Sequence, residues 1–129
     1  MPDRPALSKG EMEVARVLWG LGKATVREVH EALPPERGID FTTAQTWLRR
    51  LETKGYIKAE LDGRVRVYQP RVRATTVIRE TLDDLIERLF GGDALPLMRH
   101  LIEDRGASHE ELAELRELID RMEQQQKSE

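Results

Sequence analysis

A chain of 129 residues, 39% apolar and 35% charged, is long enough for one domain with its own core plus a helical extension, and too short for two full-sized domains. It has no apolar run near the roughly 18 residues of a membrane span, its opening MPDRPALSKG lacks the h-region of a secretory signal, and it has no cysteine, which excludes disulfides, thiolate metal sites and cysteine nucleophiles. The net charge of −3 hides an asymmetry: residues 1–73 carry 14 Lys/Arg against 10 Asp/Glu, a net of +4, and residues 74–129 carry 7 against 14, a net of −7.

Taken in order, LSKGEMEVARVLWGLG opens with Ser8 and Glu11, the spacing of a reciprocal helix cap, and continues with Val14, Val17, Leu18 and Leu21 at helical period until Gly20 and Gly22. ATVREVHEAL repeats the device with Thr25 and Glu28 and stops at Pro34-Pro35. After the loop PPERGID, FTTAQTWLRRLETKG places Ala44, Trp47, Leu48 and Leu51 on one stripe, predicting a third helix that ends before Gly55. The period then falls to 2: YIKAEL and RVRVYQP flank Asp62-Gly63, a strong hairpin signal. TTVIRETLDDLIERLF, ALPLMRHLIEDR and EELAELRELIDRMEQQQ return to helical spacing, the last behind a Ser108/Glu111 cap, and QQQKSE reads as a frayed end. Three helices and a hairpin are the order of a winged helix-turn-helix. The expected fold is mainly α with a small β-hairpin wing: a winged helix domain over residues 1–73 and a helical dimerisation region over residues 74–129.

The third helix carries an unusual face. Threonine is a mediocre helix former because its branched Cβ restricts rotamers, yet Thr42, Thr43 and Thr46 crowd the first turns together with Gln45, Arg49 and Arg50. One of Thr42 and Thr43 is expected to cap the helix. The remainder, turned away from the apolar stripe, suits a recognition helix: hydroxyls reach base edges or phosphates, a threonine methyl meets a thymine methyl, Gln45 pairs with an adenine edge, and Arg49 reaches guanine or phosphate. Between Thr42 and Arg73 there are 8 basic and 3 acidic residues, so this face favours a polyanion. Arg50, Lys54 and Lys58 beside the helix, and Arg64 and Arg66 at and beyond the hairpin tip, are expected on phosphates. Thr25 is expected either to lend a helix N-terminus to a phosphate or to serve as a plain cap. An ordinary solvated basic surface is the bland alternative to all of this.

The acidic half carries Leu82, Leu85, Ile86, Leu89, Leu97, Leu101, Leu112, Leu115, Leu118 and Ile119, more apolar surface than three short helices bury alone. A second copy of the chain is the expected partner; folding back on its own winged domain is the alternative.

LSKGEMEVARVLWGLGKATVREVHEAL, TTAQTWLRRLETKGYI, GRVRVYQP, LFGGDALPLMRHLIED and SHEELAELRELI together resemble, in order, the penicillinase-repressor (BlaI/MecI/CopY) family. The resemblance runs from about Leu7 to Ile119, although RRLETKGYI alone also looks like MarR-type regulators. It implies a homodimeric repressor on a dyad-symmetric operator of double-stranded DNA with TACA/TGTA-like half-sites; a cytoplasmic location is expected from the opening without an h-region. It further implies release through a membrane sensor metallopeptidase or another protease, with cleavage near His100 and Leu101. The Cys-x-Cys metal ligands of the copper-responsive branch have no counterpart here.

An enzyme is not expected. HEALP at His30 and HEELA at His109 begin like the zinc-peptidase HExxH signature, but Pro34 and Ala113 stand where the second histidine belongs. There is no Gly-rich phosphate loop and no GxSxG elbow, and neither cofactor nor metal is expected. A winged helix serving as a protein-protein adaptor shares the fold; the basic, short-chained third helix favours DNA.

Overall fold

A computed structural model describes residues 4–128. The first three residues of the opening segment and the last of QQQKSE lie outside the described residues. The chain forms α1 (Lys9–Leu21), α2 (Val26–Ala32), a 3-10 turn (Pro35–Arg37), α3 (Phe41–Thr53), β1 (Ile57–Asp62), β2 (Val65–Pro70), α4 (Ala74–Phe90), α5 (Leu95–Glu103) and α6 (His109–Ser128). This is the expected winged helix-turn-helix followed by helices. The chain divides into two compact units, one through Thr81 and one from Leu82. The first unit therefore takes in the start of α4, beyond the expected boundary at Arg73, because Val77 joins its core.

Both expected capping boxes of the first unit are present: Ser8 with Glu11, and Thr25 with Glu28. Thr25 thus accepts from the Glu28 N–H at 3.2 Å while its own N–H is held by the Glu28 carboxylate at 2.9 Å. The core gathers Val14, Ala15 and Leu18 of α1, Val29 of α2, Ala44, Leu48 and Leu51 of α3, and Tyr56, Ile57 and Tyr68 of the hairpin region. Leu21 is exposed and Val17 only half-buried, so the buried stripe of α1 is narrower than its apolar spacing.

The strands pair antiparallel with Ile57 opposite Pro70, Ala59 opposite Tyr68 and Asp62 opposite Val65. The two-residue turn is therefore Gly63-Arg64, one residue later than the Asp62-Gly63 dipeptide suggested. Gly63 has φ of 67° and Arg64 is not in the positive region, the arrangement of a II′ turn with glycine first. A further pairing completes the sheet edge: Ala24, between α1 and α2, exchanges both backbone hydrogen bonds with Tyr68, at 2.9 and 2.8 Å. This makes β2 the middle of a three-segment pairing. The Trp19 indole N–H donates to the Val72 carbonyl at 3.0 Å and fixes the exit from the hairpin onto α1.

Where α1 crosses α3, a Cβ placed on Gly10 would lie 2.3 Å from Cζ2 of Trp47. Trp47 is half-buried here rather than inside the core stripe. Gly10→Ala is expected to lower stability, because overpacking costs about 1 to 3 kcal/mol and the better helix propensity of alanine returns at most about 1 kcal/mol. A urea midpoint equal to or above that of the wild type would contradict this close approach.

In the second unit α6 begins with the expected box, Ser108 N–H to the Glu111 carboxylate at 2.9 Å and Glu111 N–H to the Ser108 hydroxyl at 3.0 Å. It runs as helix through Ser128, so the stretch expected to fray is helical as far as it is described. From Ile78 to Ser128 no residue is buried. Leu82, Leu85, Leu89, Leu101 and Ile119 are exposed, with Leu95, Met98, Ile102, Leu118 and Met122 alongside. Leu97, Leu112 and Leu115 are half-buried.

Candidate nucleic-acid interface

The entry to α3 is held from three sides. Asp40, not Thr42 or Thr43, is the cap: its carboxylate accepts from the Thr43 N–H at 2.7 Å. That backbone hydrogen bond holds the Asp40 pKa below the usual carboxylate value. Asp40, Thr42 and Thr43 all belong to the residue types that cap helices, and only the chain direction out of the loop selects one. Nε2 of His30 donates to the Ile39 carbonyl at 2.8 Å. Arg37 grips Glu13 of α1 with Nε at 2.8 Å and Nη2 at 2.5 Å, and this hydrogen-bonded pairing lowers the Glu13 pKa and raises that of Arg37. The turn between α2 and α3 is thereby tied to both preceding helices, which is what a rigidly presented recognition helix needs.

With Ala44, Leu48 and Leu51 inward, helical geometry sends Thr42, Thr46, Arg49 and Thr53 outward, with Gln45 and Glu52 on one flank and Thr43 and Arg50 on the other. Thr42, Thr46, Arg49 and Arg50 are exposed, and Thr43 and Gln45 half-buried. The Thr46 hydroxyl donates to the Thr42 carbonyl at 3.0 Å. Its proton is therefore occupied within the helix, and what it offers a ligand is its methyl and an acceptor lone pair. Thr46, Arg49, Arg50, Thr53 and Lys54 line a shallow depression of about 290 Å³. Arg49, Arg50 and Arg64 have no acidic partner among the described residues.

Two of the expected phosphate contacts are placed otherwise. Lys54 turns inward: its Nζ lies 2.5 Å from Oε1 of Glu11 and donates to the Ala6 carbonyl at 2.8 Å. Glu11 is 1% exposed. Burial pushes its pKa up, but hydrogen bonds from Lys54 and from the Ser8 N–H outweigh that and leave it below the ordinary value. Lys54 is thus a structural group joining the start of α1 to the end of α3. Beside it Tyr56 donates to the Pro5 carbonyl at 2.7 Å, and Arg4 lies over the Tyr56 ring while bonding both oxygens of Glu80. The second displaced cation is Arg66, whose Nη2 reaches both carboxylate oxygens of Glu52, at 3.0 and 3.1 Å, with its guanidinium 5.8 Å from the Tyr68 ring centre. Lys58 lies 3.9 Å from Glu60. Thr25 is engaged as a cap and is half-buried.

The family profile described as penicillinase repressor matches residues 7–121. The chain belongs to the penicillinase repressor family. The penicillinase repressor of Bacillus licheniformis is 28% identical over 90% of this chain and 91% of its own length. The transcriptional regulator BlaI of Mycobacterium tuberculosis is 33% identical over 76% of this chain and 74% of its own. Among solved structures, the DNA-binding domain of the repressor BlaI matches with a TM-score of 0.51 at 33% identity, covering 58% of this chain and 92% of that one. The monomeric form of Bacillus licheniformis BlaI in complex with the blaP half-operator matches with a TM-score of 0.50 at 33% identity and the same coverage. These relatives of the penicillinase repressor family are named as repressors and regulators, and the structural likeness covers the winged part. In the described residues of this family member no group of three or more His, Cys, Asp or Glu is placed to hold a metal ion, and no helix is long and apolar enough to cross a membrane.

Proposed function

We propose that this member of the penicillinase repressor family is a sequence-specific transcriptional repressor that binds a dyad-symmetric DNA operator as a homodimer. Each copy inserts α3 into a major groove and lays the Gly63-Arg64 tip along the adjoining backbone. The carrying observation is the outward face of α3, where Thr42, Thr46 and Arg49 stand beside Gln45, while Arg49, Arg50 and Arg64 lack acidic partners among the described residues. Thr42, Gln45, Thr46 and Arg49 are assigned to base edges, and Arg50 and Arg64 to phosphates. The half-operator complex of a relative with a similar winged part supports DNA as the ligand. Such a role belongs in the cytoplasm.

The dimer rests on the second unit. From Leu82 to Ser128 it leaves ten large apolar side chains exposed and buries none completely, whereas a stable small unit needs a core of its own or a partner. A two-fold dimer would present its recognition helices about one DNA turn apart. Release by proteolysis near His100 and Leu101 is part of this reading. Both are exposed on α5, where His100 pairs with Asp104 and packs by Phe90, and a helix with no buried residue opens locally at low cost.

The test is fluorescence anisotropy with a duplex from the promoter beside the protein's own gene and a scrambled duplex, near physiological salt. A preference of about a thousandfold or more is expected; equal binding erased by salt would favour the adaptor reading. Gln45→Ala is expected to remove about 1 to 3 kcal/mol of that discrimination at one position per half-site. Arg64→Ala should instead weaken both duplexes alike and flatten the slope of log K against log salt by about 0.9 per copy bound. Equal losses on both duplexes for Gln45→Ala would argue against base contact by α3.

A further inference from the structure

Glu52 is an acidic side chain in an unexpected place. It lies two helical turns beyond Gln45 on the same flank of α3, next to the face assigned to DNA. A carboxylate there repels phosphates. The hairpin register explains how it is occupied: Leu61 pairs with Arg66 and Ala59 with Tyr68, so Arg66 shares the face of β2 that carries the buried Tyr68 and is directed toward α3. There its guanidinium is held between the Glu52 carboxylate, 3.0 and 3.1 Å away, and the Tyr68 ring. The side chains of Arg66 and Glu52 remain 52% and 32% exposed. An exposed pair of this kind contributes little to stability, so its consequence falls on binding.

We infer that Glu52 is a positioning residue that takes the place of a phosphate for Arg66, withholding this cation from DNA and so limiting the sequence-independent part of the affinity. The inference rests on the DNA-binding reading above and deepens it. On this account Arg50 and Arg64 supply the counterion release, and Arg66 stays with Glu52 in the complex. Glu52→Gln removes the competing charge while keeping the side chain's shape, which frees Arg66 to reach the backbone of any duplex.

The experiment measures binding of the full-length protein to a scrambled 30-base-pair duplex and to the promoter duplex across a salt series, for wild type, Arg66→Ala, Glu52→Gln and the double variant. For Arg66→Ala alone the slope of log K against log salt should match the wild type. For Glu52→Gln it should steepen by about 0.9 per copy bound, with severalfold tighter binding to the scrambled duplex, and in the double variant it should return to the wild-type slope. A merely structural role for the pair would move stability without this pattern. A flattened slope for Arg66→Ala alone would overturn the inference, because Arg66 would then already be on phosphate. Steepening that persists in the double variant would overturn it too, since the general charge of Glu52 and not its hold on Arg66 would be responsible. Failure of the wild type to bind either duplex would refute the DNA-binding reading itself, and this inference with it.

Discussion

Lys54→Met is expected to lower the unfolding free energy at pH 7 by about 3 kcal/mol, the low end of what removing one partner of a buried ion pair costs, because the lysine end is 24% exposed. The loss arises at Glu11. Its carboxylate is almost wholly buried and keeps only the hydrogen bond from the Ser8 N–H once the ammonium is gone. With Lys54 present the Glu11 pKa is depressed, so its contribution is complete above the unfolded-state carboxylate range and is lost as pH falls through the lower folded value. With Lys54 replaced, burial acts without a counterion and raises that pKa. The gap between the two proteins should therefore be widest at neutral pH and should narrow below about pH 5, as the stranded carboxylate becomes neutral in the variant. Urea unfolding at pH 7 and pH 4 reads this directly. The salt dependence of DNA binding supplies a second readout: Lys54→Met should leave the slope unchanged, and a slope flattened by about 0.9 per copy bound would return Lys54 to the phosphate contacts.

The other large effect belongs to the helical second unit. Leu85 and Leu89 lie one turn apart on α4, 38% and 70% exposed. Leu85→Glu with Leu89→Glu places two charges on each copy's half of the proposed interface. The double variant should sediment as a monomer at concentrations where the wild type is a dimer, and its operator affinity should fall about 100- to 10 000-fold, the usual return from joining two binding modules. Binding to a single half-site should change little, since the core of Val14, Leu18, Leu48 and Tyr68 lies in the winged unit. A variant that remains dimeric would move the interface away from α4; a wild type that is monomeric throughout would remove the dimer from the proposal.

Much of the architecture is legible in short stretches. The Ser8/Glu11, Thr25/Glu28 and Ser108/Glu111 boxes are contacts across three residues, so sequence spacing is enough to find them. The change of period at Tyr56 marks the hairpin for the same reason. Less legible is any choice among neighbours of equal local merit. Asp40, Thr42 and Thr43 are all competent caps, and Asp62-Gly63 and Gly63-Arg64 are both competent turns. The alternation in RVRVYQP does not say whether Val65 and Val67 or Arg66 and Tyr68 face inward. Pairing of Tyr68 with Ala24 and Ala59, together with its burial, settles that parity.

From its sequence alone this protein has a determined order of elements, their caps, the apolar stripe that turns Thr42, Gln45 and Arg49 away from the core, and a basic half set before an acidic one. All of these follow from interactions within a turn or two of chain, or from composition. Only the tertiary structure decided which cations remain available. Lys54 meets Glu11 and Arg66 meets Glu52 across separate elements, and a charge's availability to a ligand depends on what the fold brings within about 3 Å of it, because hydrogen-bonded pairing falls away beyond that reach.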